Sequence, residues 1–283
     1  MPFQIRQLLV GALVCVLTLL PVTTAAEERY TFGIVPQFEA RQLAETWKPI
    51  LEELHTRTGH RFEMVGSPRI PEFEAAFVQG DFDFAYMNPY HALVAGDRQG
   101  YRAIVRDGGR QLYGVLVVAR DSPFRSVADL EGRTIAFPAP NALGAALLMR
   151  ADLDRNFGLH YSARYVATHS SAYYNVLLGQ ADAAGGVMAT LNSQDDLVRH
   201  GLRILYETTR LPPHPISVHP RVPKEVADAV QQAFIDMAQT ESGAAMLAQV
   251  PIKRPVMATQ DDYEGLRKLE LQSYFVRPPQ TGG

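Results

Sequence analysis

Aromatic, amide and imidazole side chains lie close together in one segment of this 283-residue chain. From Phe82 to Tyr86 large aromatic residues alternate with smaller or polar ones, which predicts a β-strand. Pro89 cannot donate a ladder hydrogen bond, so the strand must end before it. Tyr90 and His91 therefore follow the carboxyl end of a strand, which is where ligands bind in open α/β sheets. The alternative is a core strand whose turn carries aromatic residues. The candidate ligand-binding residues of this segment are Tyr86, Asn88, Tyr90 and His91.

Two other loops contain groups that suit a negatively charged ligand. Asn141 would cap a helix predicted from about 142 to 157, and Ser170 or Ser171 would cap one predicted near 171–178. The first backbone N–H groups of a helix have no intrahelical acceptor and carry partial positive charge, so they attract anions. The candidate residues of these two loops are Asn141, Ala142, Leu143, Gly144, His169, Ser170 and Ser171.

A metal site is a different interpretation of the same regions. Imidazole and thioether groups suit copper, and imidazole also suits zinc. The candidate residues are far apart in the sequence, without H-x-x-x-H or C-x-x-C spacing, so histidines that only form hydrogen bonds are the alternative. The candidate metal ligands are Met87, His91, His169, Met188 and His214.

Catalytic motifs are missing from the sequence, which lacks G-x-S-x-G, H-E-x-x-H and the P-loop. His169 and Ser170 could be imagined as a base and a nucleophile, but neighbours in a strand-to-helix turn seldom reach each other with the right geometry. We therefore expect a binding protein that is not an enzyme and uses no cofactor.

Strands and helices alternate along the chain in two sets, which predicts parallel sheets of an α/β fold. The chain would pass between the sets near Val118–Arg120 and again near Leu211–His214, and two such crossover segments form a hinge. Lobe 1 would then contain residues 27–117 and 212–283, and lobe 2 residues 118–211. A single continuous sheet is the alternative.

The N-terminus has the pattern of a cleavable signal peptide over residues 1–26. Arg6 precedes a mostly apolar run from Leu8 to Leu20, and Thr24-Ala25-Ala26 supplies small residues for cleavage. A membrane anchor is the alternative, although the apolar run is shorter than the roughly 20 residues that a spanning helix needs. Cleavage would remove the single cysteine, Cys15, so we expect a periplasmic protein without disulfides.

The composition restricts the possible partners. Lysine and arginine number 27 against 30 aspartate and glutamate residues, and no basic cluster is present, so we do not expect nucleic acid binding. We expect a monomer that binds a small molecule.

Four sequence elements occur together in an order that resembles a known family. The G-x-x-D-x-A-x-x-N-P pattern at 80–89 is accompanied by Gly33-Ile34-Val35-Pro36, by residues 129–136 and by His169-Ser170-Ser171. From about Tyr30 to Met246 the chain resembles the PhnD-type periplasmic phosphate, phosphite and phosphonate-binding proteins, the solute receptors of ATP-driven importers. The resemblance implies a two-lobed, type II-like periplasmic binding protein that closes around a small anion and delivers it to an ABC permease. A receptor subunit for a membrane sensor kinase is the alternative.

The sequence departs from the family pattern at three places. Ala142 and Leu143 stand where phosphonate binders usually have hydroxyl residues, Gly185-Gly186 lacks the carboxylates of aminoalkyl phosphonate binders, and His214 replaces an acid. The family comparison therefore implies weak binding of free phosphate and simple phosphonates, and it favours a less polar ligand or a small neutral oxyacid. Aromatic walls and hydroxyl donors would come from Tyr86, Tyr90 and Tyr113, and side-chain donors from His91 and His169. His214, in the second crossover segment, is a further candidate ligand-binding residue.

Overall fold

The computed structural model describes residues 28–277, so the predicted signal peptide and the last residues of the C-terminal tail lie outside the described residues. The strands are β1 (Arg29–Ile34), β2 (Arg61–Val65), β3 (Phe84–Tyr86), β4 (Arg102–Asp107), β5 (Gly114–Ala119), β6 (Thr134–Phe137), β7 (Ser162–Tyr165), β8 (Ala183–Val187), β9 (Leu202–Glu207), β10 (Ile216–Val218) and β11 (Pro255–Met257). The α-helices are α1 (Ala40–Thr58), α2 (Ile70–Gln79), α3 (Pro89–Gln99), α4 (Leu148–Arg155), α5 (His169–Leu177), α6 (Met188–Asn192), α7 (Asp196–Gly201), α8 (Lys224–Met237), α9 (Glu241–Gln249) and α10 (Asp261–Glu264). Short 3₁₀ helices cover Val127–Leu130, Gly265–Leu269 and Leu271–Ser273, and a π-helix covers Leu143–Leu147 directly before α4.

The strands form two separate sheets. Their order is β11-β4-β10-β3-β1-β2 in the first sheet and β7-β6-β8-β5-β9 in the second. The two-lobed prediction is confirmed, and the alternative of a single continuous sheet is wrong.

Both sheets are mixed, whereas the sequence pattern predicts parallel sheets. β1 pairs in parallel with β2 and β3, and β6 pairs in parallel with β7 and β8. β10 runs antiparallel to β3 and β4, and β5 runs antiparallel to β8 and β9. The reason is that β5 and β10 are the first strands after the two crossings. A strand that enters a lobe from the hinge runs away from the hinge. The parallel strands run the other way, so their carboxyl ends face the space between the lobes.

The first crossing lies earlier in the chain than the sequence indicated. Val117 and Val118 belong to β5, which is hydrogen-bonded on both sides within the second sheet, so lobe 2 begins near Gly114 and not at 118. The crossing is therefore the segment 108–113. The second crossing, 208–215, contains the predicted segment, and Leu112 and Leu211 join the two crossings by exchanging backbone hydrogen bonds of 2.8 Å each.

The C-terminal segment connects both lobes, although the sequence assigned all of it to lobe 1. Arg267 forms an ion pair of 2.8 Å with Asp97 of α3 in lobe 1. Arg155 of α4 in lobe 2 donates to the carbonyl oxygens of Leu269 (2.7 Å) and Glu270 (2.9 Å). Residues 265–277 therefore cross from one lobe to the other.

The first helix illustrates how the apolar pattern builds lobe 1. Leu43, Trp47, Ile50, Leu51 and Leu54 recur at helical spacing in α1, and all of them are buried. The helix ends at Gly59, whose φ of 75° is the left-handed conformation that glycine adopts most easily. None of the helices in residues 28–277 has the length and apolar composition that crossing a membrane requires.

Candidate ligand-binding site between the lobes

The carboxyl ends of β1, β3, β6 and β8 converge on a small pocket between the lobes, which we call the inner pocket. Its free volume is about 10 Å³, roughly the space of a single water molecule. Neither a carboxylate nor a lysine or arginine lines it. The lining residues are Val35, Gln37, Ile70, Asn88, Ala142, Leu143, Gly144, His169, Val187 and His214.

The loop 142–144 brings the start of a helix against this pocket. The π-helix and α4 form one continuous helix from Leu143 to Arg155, and its first bond within the helix runs from the Ala146 N–H to the Ala142 carbonyl at 2.7 Å. The N–H groups of Leu143, Gly144 and Ala145 precede that bond, so no carbonyl of the same helix accepts from them.

Glycines hold this helix start close to the second sheet. A Cβ atom on Gly114 would lie 2.0 Å from the Gly144 carbonyl oxygen, and one on Gly185 would lie 2.0 Å from the Ala145 carbonyl oxygen. These contacts leave no room for side chains. They explain why β8 carries a glycine at position 185.

His169 is the first residue of α5 and is only 2% exposed. Its Nδ1 lies 3.2 Å from Oγ1 of Thr190, whose hydroxyl is also within reach of Tyr173 (2.9 Å) and of the Val187 carbonyl (2.9 Å). Burial lowers the pKa of His169 to about 4, so the imidazole is neutral at physiological pH. A neutral ring has one N–H donor and one acceptor.

His214 lies in the second crossing and faces the same pocket. Its ring stacks on Tyr86 with ring centroids 5.3 Å apart. Burial, together with the nearby His91 and His169, lowers the pKa of His214 to about 3. The inner pocket therefore presents two neutral imidazoles.

A buried hydrogen-bond network joins the lobes beside the pocket. Glu74 of α2 accepts from Nε2 of His91 at 2.8 Å and from the Asn141 side-chain amide at 2.9 Å. Asn88 caps α3 through the His91 N–H at 2.8 Å and donates to the Asn141 carbonyl at 3.2 Å. Asn141 also accepts from the Val276 N–H at 2.9 Å. Asn141 is therefore an interlobe connector, whereas the sequence predicts a helix cap for it.

Several residues predicted to border the cleft lie elsewhere. The imidazole of His91 is fully buried in lobe 1 between Phe73, Phe77 and Glu74, because the carboxylate holds it there. The ring of Tyr90 packs against Phe275 of the C-terminal segment.

Tyr113, Ser171 and the two methionines are also engaged away from the inner pocket. Arg210 lies 4.4 Å above the Tyr113 ring, which packs on the core of lobe 2. The Thr168 hydroxyl donates a hydrogen bond to Oγ of Ser171 (2.8 Å) and accepts one from the backbone N–H of Ser171 (3.1 Å). Met87 is buried in the core, and Met188 packs against the core of lobe 2. Ser170 is partly buried and does not line the pocket.

The five candidate metal ligands are thus not brought together, since only His169 and His214 line the inner pocket. Within residues 28–277, no group of three or more His, Cys, Asp or Glu side chains is placed to hold a metal ion.

A larger cavity, which we call the outer chamber, adjoins the inner pocket through Gln37, Val187 and His214. Its volume is about 280 Å³. The sequence prediction missed Gln37, although it follows the carboxyl end of β1 and the strand-end rule used for Tyr90 applies to it equally. The polar and charged residues of the chamber are Gln37, Arg110, Gln111, Thr190, Asn192, Ser193, His214, Gln249 and Lys253.

Two mixed α/β lobes, a double crossing and a polar pocket at the strand ends define a two-lobed solute-binding protein. The family model described as "ABC transporter, phosphonate, periplasmic substrate-binding protein" matches residues 32–263. This chain belongs to that family, as the sequence motifs predict.

Individual relatives are distant in sequence but similar in fold. The phosphate-import protein PhnD of Mycolicibacterium smegmatis is 21% identical, and the match covers 87% of each chain. The binding-protein component of an ABC phosphonate transporter from Pseudomonas aeruginosa is similar with a TM-score of 0.76, 18% identity and 91% coverage of both chains. PhnD1 from Prochlorococcus marinus, solved in complex with methylphosphonate, is similar with a TM-score of 0.78 and 14% identity, covering 86% of this chain and 97% of that one.

Proposed function

We propose that this protein captures a small phosphonate- or phosphate-type anion in the inner pocket and delivers it to an ABC permease. The observation that carries the proposal is the pocket itself, which the helix start at Leu143 and Gly144 and two neutral histidines line without any carboxylate. Family membership supports it, as do the relatives named for phosphate import and for methylphosphonate.

The donors of the pocket recognise the anion without a full positive charge. Backbone N–H groups at a helix start interact favourably with negative oxygens. His169 and His214 add imidazole ring nitrogens, and a neutral ring has one N–H that donates and one nitrogen that accepts, for example from a protonated ligand oxygen. Ala142 and Leu143 supply no hydroxyl, and each missing hydrogen bond to a charged oxygen is worth about 1.5–3 kcal/mol. Two missing bonds reduce affinity about a hundredfold or more, so simple phosphonates should bind weakly.

Ligand entry requires the lobes to separate. A free volume of about 10 Å³ is too small for a phosphonate head group. Opening breaks the bonds from Asn141 of lobe 2 to Glu74 and Asn88 of lobe 1, and these bonds form again on closure. The lobes would then hold the ligand between them while the permease binds.

A thermal-shift panel tests the proposal, because a ligand that binds only the native state raises the melting temperature. Phosphate, phosphite and methylphosphonate are compared with copper and zinc ions. We expect at least one phosphorus oxyanion to stabilise the protein, and the His169→Gln/His214→Gln double variant to reduce that shift. His200→Gln, at an exposed position, is the control. Stabilisation by metal ions alone, or by none of the compounds, would contradict the proposal.

A further inference from the structure

The outer chamber carries charge that the inner pocket lacks. Arg110 and Lys253 are the only charged residues that line it, because His214 is neutral and no carboxylate lines the chamber. Among the residues that the structure describes, neither cation forms an ion pair. The chamber has a volume of about 280 Å³ and shares Gln37, Val187 and His214 with the inner pocket, so the two spaces are adjacent.

A buried carboxylate fixes the two cationic loops beside each other. Asp107, which is 1% exposed, accepts from the Gly109 N–H at 2.6 Å and from the Arg254 N–H at 2.9 Å. The Gly108 N–H also donates to the Arg254 carbonyl at 2.8 Å. Arg110 directly follows Gly109, and Lys253 directly precedes Arg254. Neither loop can therefore move away from the other independently.

Arg110 and Lys253 both line the chamber from these neighbouring loops, and their positive charges would attract an anion bound there. The amides of Gln111, Asn192 and Gln249 surround the same space and can donate hydrogen bonds to it. Asn192 belongs to lobe 2, whereas Lys253 and Gln249 belong to lobe 1. An anion in the chamber would therefore contact both lobes.

We propose that the ligand of this protein is a diacid, with a phosphonate or phosphate head group in the inner pocket and a second acidic group bound by Arg110 and Lys253 in the outer chamber. This proposal rests on the proposed function, because the head group in the inner pocket directs the rest of the ligand into the chamber. It also explains how a pocket without hydroxyl donors can retain its ligand.

Titration calorimetry with a matched pair of ligands tests this inference. 3-Phosphonopropionate and propylphosphonate differ only in a terminal carboxylate against a methyl group. We expect the carboxylate to increase affinity about tenfold or more, since a charge-assisted hydrogen bond contributes that much. In the Arg110→Gln/Lys253→Gln variant the ratio of the two affinities should fall to about one.

The control is the Arg102→Gln/Lys268→Gln variant, which removes two exposed cations outside the chamber. It changes the net charge equally, so it should keep the wild-type ratio. Equal affinities in the wild type would refute the diacid, as would a ratio that persists in the chamber variant or is lost equally in the control. If neither phosphonate binds the wild type, the proposed function fails and the diacid fails with it.

Discussion

Acid should destabilise this protein through its two buried histidines. Burial lowers the pKa of His169 to about 4 and that of His214 to about 3, against 6.5 for an exposed imidazole. Between these values the unfolded chain binds protons that the folded protein does not, so the free energy of unfolding falls as the pH falls below about 6.5.

The magnitude follows from the shifts. One pKa unit corresponds to about 1.4 kcal/mol, so at pH 5 each histidine should cost the folded state about 2 kcal/mol relative to neutral pH. The loss grows as the pH falls towards the folded-state values and is complete below them. Other groups contribute to the total pH dependence, so the comparison that matters is between the wild type and histidine variants.

Urea denaturation at pH 7, 6 and 5 measures the effect. His169→Gln and His214→Gln should each lower the loss of unfolding free energy between pH 7 and pH 5 by about 2 kcal/mol. His200→Gln, which removes an exposed histidine outside the pocket, is the control. Parallel curves for the wild type and both buried-site variants would refute the claim that the inner pocket keeps these rings dehydrated and neutral.

Three further predictions concern the interlobe network, the glycine contacts and export. Asn141→Ala removes the amide that pairs with the buried Glu74 carboxylate, so the urea unfolding free energy should fall by about 2–4 kcal/mol; a loss no larger than that of the exposed Asn156→Ala would contradict the role of the network. Gly114→Ala forces a Cβ to within 2.0 Å of the Gly144 carbonyl and should cost about 1–3 kcal/mol and weaken phosphonate binding in calorimetry, whereas Gly66→Ala, with nothing within 4 Å, should do neither. Equal effects of the two glycine substitutions would show that the close approach does not position the helix start. N-terminal sequencing of periplasmic protein should give Glu27 as the first residue, and an intact Met1 would contradict export by signal cleavage.

Local patterns predicted much of the fold, because the apolar face of α1 and the order of strands and helices are short-range properties. The strand directions could not be predicted in the same way. Residues 114–119 form a continuous apolar strand, but the sheet to which this strand belongs depends on the position of the crossing. That position is set by the bond pattern between Leu112 and Leu211, which are distant in sequence.

Residues of the candidate site could be predicted where their place in the pocket depends only on their position in the chain after a strand. The loop 142–144 and His169 follow strand ends and line the inner pocket, as does His214 in the second crossing. His91 also follows a strand end, but its ring turns inward because Glu74, 17 residues earlier, accepts its hydrogen bond. No short-range signal distinguishes an imidazole that faces a cleft from one that pairs with a buried carboxylate. Arg110 was missed because its crossing was placed too late in the chain.

A crystal structure of the protein grown with methylphosphonate would test most directly whether the inner pocket binds a phosphorus oxyanion. We predict the phosphonate oxygens within hydrogen-bonding distance of backbone N–H groups at 143–145 and of a ring nitrogen of His169 or His214, with the lobes closed around them. A phosphonate bound elsewhere, or none at saturating concentration, would contradict the proposed function.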